Sequence, residues 1–134
     1  MPVDQSLREM VPRGPAVALA VGGLATTMAT HAAVLTGRLP HTAVSGGRVK
    51  NPGDGRRVAA VSMCSLLPVA ALVARGAGIA GEASRTEHRL LGLLAVAALV
   101  SVPLQALGTP FERRYMTPAA AALTAGLGRL AIER

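Results

Sequence analysis

The sequence predicts an all-α fold, an integral membrane four-helix bundle with antiparallel spans, and three observations lead to it. The run 14–37 holds no Lys, Arg, Asp or Glu, and at about 1.5 Å rise per residue it is long enough for the ~30 Å hydrocarbon core of a bilayer. The chain is 51% hydrophobic but only 1% aromatic, which favours helices that pack through small side chains. Its charged residues lie mainly between apolar runs, where membrane proteins place their loops.

The first predicted span covers about residues 15–37. Pro15 suits its first turn, because the N–H that proline lacks would have no partner there. Residues 29–32 resemble the end of a signal-peptide cleavage region. The apolar run continues past them through Leu35 and is longer than a usual signal core, so an uncleaved span is favoured over a cleaved leader.

The second and third spans are predicted at about residues 58–79 and 90–108. Each contains an internal proline, and Pro68 is expected to kink the second span because it removes one helical hydrogen bond. Such a kink is tolerated in a membrane bundle, where a neighbouring group satisfies the freed carbonyl.

The fourth span is predicted at about residues 118–132 and begins at Pro118. Its Arg129 is close enough to the helix end for the guanidinium to reach the interface. Residues 111–115 are expected to form a tight loop whose aromatic side chains, Phe111 and Tyr115, anchor it at the membrane surface. Residues 1–134 thus form a single membrane domain. The alternative, a soluble Ala-rich bundle, requires charged stripes that the runs 14–37 and 90–111 lack.

The charge pattern bears on partners and on location. The formal net charge is +7, but the Arg residues form no single stripe and are not interleaved with aromatic platforms, so no nucleic-acid partner is predicted. Lys and Arg are divided equally between the two predicted sides, and the flanks of the first span slightly favour a cytoplasmic first loop. The predicted location is the cell membrane, as a multi-pass protein of the bacterial cytoplasmic membrane.

The uncharged polar residues of the spans are predicted to fall in one half of the membrane. Intramembrane polar groups usually face the bundle interior or a cavity, so a shallow polar pocket is one interpretation. The alternative is hydrogen bonding between helices without a ligand. The candidate pocket residues are Thr27, His31, Ser62, Ser65, Ser101 and Gln105.

A second candidate set lies in the loops above that half, where basic side chains would meet anionic lipid headgroups at about 1 kcal/mol each. The alternative is that these basic side chains only determine the membrane topology and bind no specific ligand. Glu112 is expected to form a local ion pair with Arg113 rather than to act as a catalytic acid. The candidate headgroup contacts are Arg48, Arg56, Arg57, Glu112, Arg113 and Arg114.

Two short motifs lie in these loops, Gly46-Gly47-Arg48 and Thr109-Pro110-Phe111-Glu112-Arg113, the second followed by Pro118. With them the chain resembles a family of small bacterial integral membrane proteins with four spans. That family has no assigned activity, so the resemblance implies architecture and location only.

The sequence does not predict an enzyme. It has one cysteine and no paired-His spacing, so no metal or other cofactor is expected. The favoured function is an accessory or binding subunit that contacts the lipid bilayer and a membrane-protein partner or a second copy. A small homo-oligomeric transporter or channel acting through His31 is the alternative, and an envelope enzyme acting on lipid headgroups is a weaker one. Pairs with small-xxx-small spacing favour close helix packing: Ala18/Gly22, Ala25/Ala29/Ala33 and Ala122/Gly126.

Overall fold

The computed structural model of the protein describes residues 2–133, which are mostly helical and contain no β-strand. The all-α prediction is therefore confirmed for this part of the chain. Five α-helices follow one another: α1 (Val3–Met10), α2 (Arg13–Leu35), α3 (Pro52–Gly76), α4 (Arg85–Ala106) and α5 (Thr117–Ala131). Two short 3₁₀ turns, His41–Ala43 and Ser45–Gly47, lie between α2 and α3, and a π-helical turn, Glu112–Met116, leads into α5.

Three of these helices, α2, α3 and α4, are long and apolar enough to cross a membrane, judged by length and composition. Helix α5 has 15 residues, fewer than the ~20 that a span usually needs. It does not stand alone, however, because the chain is helical without interruption over residues 110–131. The π turn occupies the part of this stretch just ahead of Pro118, where the ordinary α-helical bonding pattern would be interrupted.

Several helices begin before the first apolar residue, because side chains cap them. The Ser84 hydroxyl accepts a hydrogen bond from the Glu87 N–H, and the Glu87 carboxylate accepts one from the Ser84 N–H, which starts α4 ahead of Leu90. Asn51 caps α3 in a similar way by accepting from the Gly53 N–H. The starts of α3 and α4 are thus set by caps rather than by hydropathy.

The expectation of a tight loop over residues 111–115 is wrong, since these residues are helical. The reason is a capping box that hydropathy does not reveal. Thr109 and Glu112 exchange hydrogen bonds in the same way as Ser84 and Glu87, with each side chain accepting from the other residue's N–H. The helix therefore begins directly after Thr109.

Helix α5 lies at the centre of the packing, against both α2 and α4. The main core cluster joins these three helices to α3 and consists of Ala20, Leu24, Val73, Leu91, Ala95, Leu127 and Leu130. Helix α5, which hydropathy identifies least clearly, therefore holds the bundle together. Its apolar side chains are buried against protein, whereas much of α3 and α4 is not covered.

Helices α2 and α5 approach each other closely through small residues. A Cβ added at Gly126 would lie 2.7 Å from the Ala16 carbonyl oxygen, and one at Gly23 would lie 2.7 Å from the Ala119 carbonyl oxygen. Glycine is needed at both positions because any side chain would push the two backbones apart.

Of the predicted small-xxx-small pairs, Ala122/Gly126 contributes Gly126 to this contact, whereas packing through the pairs on α2 stays a prediction. Ala18, Gly22, Ala25 and Ala29 of α2 are exposed, and the contact face is formed by Ala16, Ala20 and Gly23 instead. Leu24 lies in the core beside this contact face. Because α2 has so few charged residues, the periodicity of its sequence alone does not determine which face turns inward.

The outer faces of α3 and α4 remain uncovered and apolar. Only 11% of the most apolar 18-residue window of each helix is buried, compared with 28% for α2. The exposed large side chains of α4 include Leu93, Val96, Leu99, Val100 and Leu104.

Candidate functional site

The first loop and the turn before α5 meet at a buried carboxylate. Both oxygens of Glu112 accept a hydrogen bond from the Gly46 N–H at 3.1 Å, and Oε2 also accepts one from the Thr109 N–H at 2.8 Å. The Thr109 hydroxyl donates to the Ala43 carbonyl. Glu112 is only 5% exposed. We call Ala43, Gly46, Thr109 and Glu112 the loop junction.

Local backbone conformation makes this junction possible. Ser45, Gly46 and Gly47 have φ angles of 55°, 64° and 70°, a left-handed run that glycine adopts at little cost. At Gly108 the constraint is space, because a Cβ there would overlap the Glu112 carboxylate. An apolar cluster of Val34, Val44 and Ala59, with Phe111 packed against it, includes two direct sequence neighbours of junction residues, Val44 and Phe111.

The two sequence motifs are therefore in contact, through Gly46 of the first and through Thr109 and Glu112 of the second. The expected Glu112–Arg113 ion pair is not formed. Within residues 2–133 the ion pairs are Arg13–Glu133, Arg75–Glu87 and Arg129–Glu133. Backbone N–H groups satisfy the Glu112 carboxylate instead. They are favoured over the Arg113 guanidinium because the fold fixes them beside the carboxylate.

The basic members of the second candidate set lie on the surface. Arg48, Arg56, Arg57, Arg113 and Arg114 are all exposed. The Arg114 guanidinium carbon lies 5.5 Å from the centroid of the Tyr115 ring, and that ring is 5.0 Å from the Phe111 ring. Whether these arginines contact lipid headgroups stays a prediction.

Three residues of the predicted polar pocket form hydrogen bonds within their own helices. Thr27 donates to the Gly23 carbonyl at 2.8 Å, Ser65 to the Val61 carbonyl at 2.8 Å, and Ser101 to the Ala98 carbonyl at 2.7 Å. In this arrangement a hydroxyl is satisfied without a partner on another helix.

The other three predicted pocket residues, His31, Ser62 and Gln105, are half-buried, and within residues 2–133 their side chains make no hydrogen bond. A hydroxyl that does reach another helix is that of Thr30, 3.3 Å from the Met116 sulfur. The structure thus does not join the six residues in one network, and their role as a pocket stays a prediction.

A cavity of about 620 Å³ lies at the other end of α4, lined by Ala83, Arg85, His88, Arg89, Gly92 and Ala131. The loop before α4 forms one wall and the end of α5 the other. None of the six predicted pocket residues lines it. We call it the basic cavity.

Arg75 holds the loop wall of the basic cavity in place. Its guanidinium donates to the carbonyls of Ala80 and Glu82 at 3.0 and 2.6 Å, and to the Glu87 carboxylate at 2.7 and 3.2 Å. One side chain therefore fixes both the turn after α3 and the first turn of α4.

The end of α5 is held by contacts with the N-terminal part of the chain. Arg129 donates to the Val11 carbonyl at 2.9 Å and to the Glu133 carboxylate at 2.8 Å, and Glu133 also pairs with Arg13 at 3.2 Å. Arg129 is thus tied to protein groups and does not extend alone toward an interface.

Comparison of the chain with protein-family models, with curated proteins and with solved structures finds no match. Among residues 2–133 no group of three or more His, Cys, Asp or Glu side chains is arranged to hold a metal ion.

Proposed function

We propose that the protein is a four-span, non-enzymatic membrane protein that serves as a binding or accessory subunit of the bacterial cytoplasmic membrane. The observation that carries the proposal is the uncovered apolar surface of α3 and α4. Soluble monomers rarely expose contiguous apolar patches of more than a few hundred Å². A lipid environment removes the cost of such a surface, because hydrocarbon chains take the place of water.

The hydroxyl groups of the helices support a membrane setting. Besides Thr27, Ser65 and Ser101, the hydroxyls of Thr26 and Thr124 also donate to carbonyls of their own helix, three residues earlier for Ser101 and four for the others. Bonding within the helix satisfies a polar group where no water is present.

The fourth span of the proposal is the helical stretch 110–131. It is long enough when the π turn is counted with α5, and Arg129 at its end is paired with protein groups rather than placed among lipid chains. Gly126 near the end of α5 lies against Ala16 near the start of α2, and Gly23 lies against Ala119, a pattern that supports antiparallel packing of the two helices. An antiparallel bundle with short connections extends the same pattern to α3 and α4.

A binding role fits the site geometry better than catalysis does. The buried carboxylate of Glu112 accepts hydrogen bonds from backbone N–H groups on both oxygens, so it is committed to holding two loops together. The transport alternative receives no support from Thr27, Ser65 or Ser101, whose hydroxyls are bonded within their own helices.

Membrane placement is tested by introducing a charge on the uncovered face. Leu99→Glu changes an exposed residue of α4, which a soluble protein tolerates. At the centre of a span the same change costs several kcal/mol, about 2.5–3.5 on insertion scales. We expect wild type to resist alkaline carbonate extraction and Leu99→Glu to lose membrane insertion. The control Leu107→Glu, at the end of α4, remains inserted. The proposal would be overturned by a wild type that carbonate extracts from the membrane. It would also be overturned by a Leu99→Glu variant that is soluble and has the circular dichroism of a folded helical protein.

The antiparallel arrangement is tested by labelling with a membrane-impermeant maleimide. In a Cys64→Ser background, Lys50→Cys reports the first loop and Glu82→Cys the second, both at exposed positions. We expect the two positions to be labelled from opposite sides of sealed vesicles. Labelling of both from one side contradicts the arrangement.

The accessory role is tested by purification from native membranes in mild detergent. A stoichiometric, unrelated membrane-protein partner supports it. A pure homo-oligomer that carries solute flux in proteoliposomes overturns it in favour of transport.

A further inference from the structure

The basic cavity is built on one face of α4. Arg85, His88, Arg89 and Gly92 follow the spacing i, i+3, i+4 and i+7, which places them side by side along a helix. Across the cavity lies Ala131 at the end of α5, and a Cβ added at Gly92 would be 3.7 Å from the Ala131 Cβ. The cavity thus has a narrow, small-residue floor and a cationic rim.

The carboxylates near this rim are already paired with other cations. Glu87 is held by Arg75, and Glu133 by Arg13 and Arg129. The side chain of Glu82 is exposed and does not line the cavity.

Arg85 and Arg89 are different, because within residues 2–133 neither forms an ion pair or a hydrogen bond. Two guanidinium groups one turn apart repel each other unless an anion lies between them. The rim is therefore positively charged and uncompensated by the described protein.

His88 adds a directed polar group between the two arginines. Its Nδ1 lies 3.0 Å from the Leu130 carbonyl oxygen, so Nδ1 carries the hydrogen and the ring is fixed in orientation. The other ring nitrogen, Nε2, then carries the lone pair and is left to accept a hydrogen bond from a ligand hydroxyl, whereas the arginines donate to the phosphate oxygens. The bond also links the cavity floor to the core residue Leu130.

The geometry points to a site for a phosphate group, carried either by an anionic phospholipid or by a soluble phosphate ester. Guanidinium groups bind phosphate through paired, charge-assisted hydrogen bonds. The exposed apolar face of α4 begins beside the cavity at Leu90 and Leu93 and offers a path for an acyl chain. The lipid source rests on the membrane placement proposed above, whereas the soluble source does not.

The test measures binding to the purified full chain in neutral detergent. Short-chain phosphatidylglycerol, short-chain phosphatidylcholine and glycerol phosphate are titrated separately, and the thermal unfolding midpoint reports binding. We expect phosphatidylglycerol to raise the midpoint of wild type. The variant Arg85→Gln/Arg89→Gln should bind about 30-fold more weakly, as expected from the loss of two basic contacts. The matched control Arg38→Gln/Lys50→Gln removes the same charge from exposed positions of the first loop and should bind as wild type does.

A second variant tests the space inside the cavity independently of its positive charge. Gly92→Leu fills the floor without removing a cation, and we expect it to abolish binding while its circular dichroism stays that of wild type. Binding of glycerol phosphate as tight as that of phosphatidylglycerol identifies a soluble phosphate ester as the source, and binding of the lipid alone identifies the headgroup.

The site proposal is overturned if neither phosphatidylglycerol nor glycerol phosphate binds to wild type. It is also overturned if both double variants weaken binding equally, or if Gly92→Leu binds as wild type does. Carbonate extraction of wild type keeps this outcome distinct from membrane placement. A protein that resists extraction but fails these binding tests retains the proposed placement and loses the site.

Discussion

The loop junction and the basic cavity both gather polar side chains from distant parts of the sequence, but they use them differently. At the junction, Glu112 is buried and each of its oxygens accepts from backbone N–H groups. At the cavity, Arg85 and Arg89 are exposed and have no partner within residues 2–133. One set of groups is satisfied by the protein and the other is not.

The difference separates structural from ligand-binding roles. A buried acceptor fixes the segments that donate to it, since removing it leaves those donors unsatisfied. Exposed cations without partners contribute little to folding, so their placement together around a cavity is better explained by a ligand. Substitutions at the two places should therefore have very different effects on stability.

The largest effect is expected for Glu112→Ala. The change removes the hydrogen bonds that the N–H groups of Gly46 and Thr109 donate to a carboxylate, and hydrogen bonds to charged groups contribute about 1.5–3 kcal/mol each. We expect a loss of about 3 kcal/mol in the free energy of unfolding, measured by denaturant titration in detergent, and faster tryptic cleavage at Arg48. The control Glu82→Ala removes an exposed carboxylate and should stay within about 0.5 kcal/mol of wild type. Equal stability of the two variants contradicts the junction.

The same substitution at two glycines sharpens the contrast between a closed and an open region. Gly108→Ala places a Cβ against the Glu112 carboxylate and should destabilise by about 1–3 kcal/mol. Gly92→Ala places one at ordinary contact distance from Ala131, in the middle of a helix, and should stabilise by about 0.5–1 kcal/mol. Thermal unfolding of the pair decides: a destabilised Gly92→Ala would show that the cavity is as tightly packed as the junction, and a stabilised Gly108→Ala would show that the junction is as open as the cavity.

The elements that sequence reasoning identified are those that depend on local properties. Helices α2, α3 and α4 are visible because an uncharged run of helical length is a local signal. The start of α4 and of the stretch at 110 was also readable, since Ser84 and Thr109 each precede a Glu by three positions. Hydropathy alone does not reveal these capping boxes, because their residues are polar.

The loop junction and the basic cavity depend on tertiary contacts that no local sequence pattern contains. Glu112 meets Gly46 across 66 positions of the chain, and its neighbour Arg113 was the closer partner in sequence alone. The basic cavity needs the end of α5 beside the first turns of α4. Only its helical spacing, Arg85, His88, Arg89 and Gly92 on one face, was present in the sequence as a signal.

A smaller effect at the junction is expected for Thr109→Val, which preserves shape but removes the hydroxyl. That hydroxyl donates to the Ala43 carbonyl and accepts from the Glu112 N–H, so the variant should lose about 1–2 kcal/mol of unfolding free energy, as other caps do. Thr26→Val is the matched control, because the Thr26 hydroxyl contacts only a carbonyl of its own helix. Denaturant titration that ranks Thr26→Val as the more destabilised would mean that the hydroxyl at 109 does not join the two loops.

The smallest effect is expected at the cavity, for Arg85→Gln/Arg89→Gln in the absence of any phosphate compound. Two like charges one helical turn apart are mutually unfavourable by a few tenths of a kcal/mol, and neither guanidinium has a partner within residues 2–133 to lose. The double variant should therefore unfold at the wild-type midpoint or slightly above it. A clear destabilisation would mean that these arginines hold the fold together, and the cavity would then resemble the loop junction. Unchanged stability together with lost phosphatidylglycerol binding assigns the two charges to a ligand.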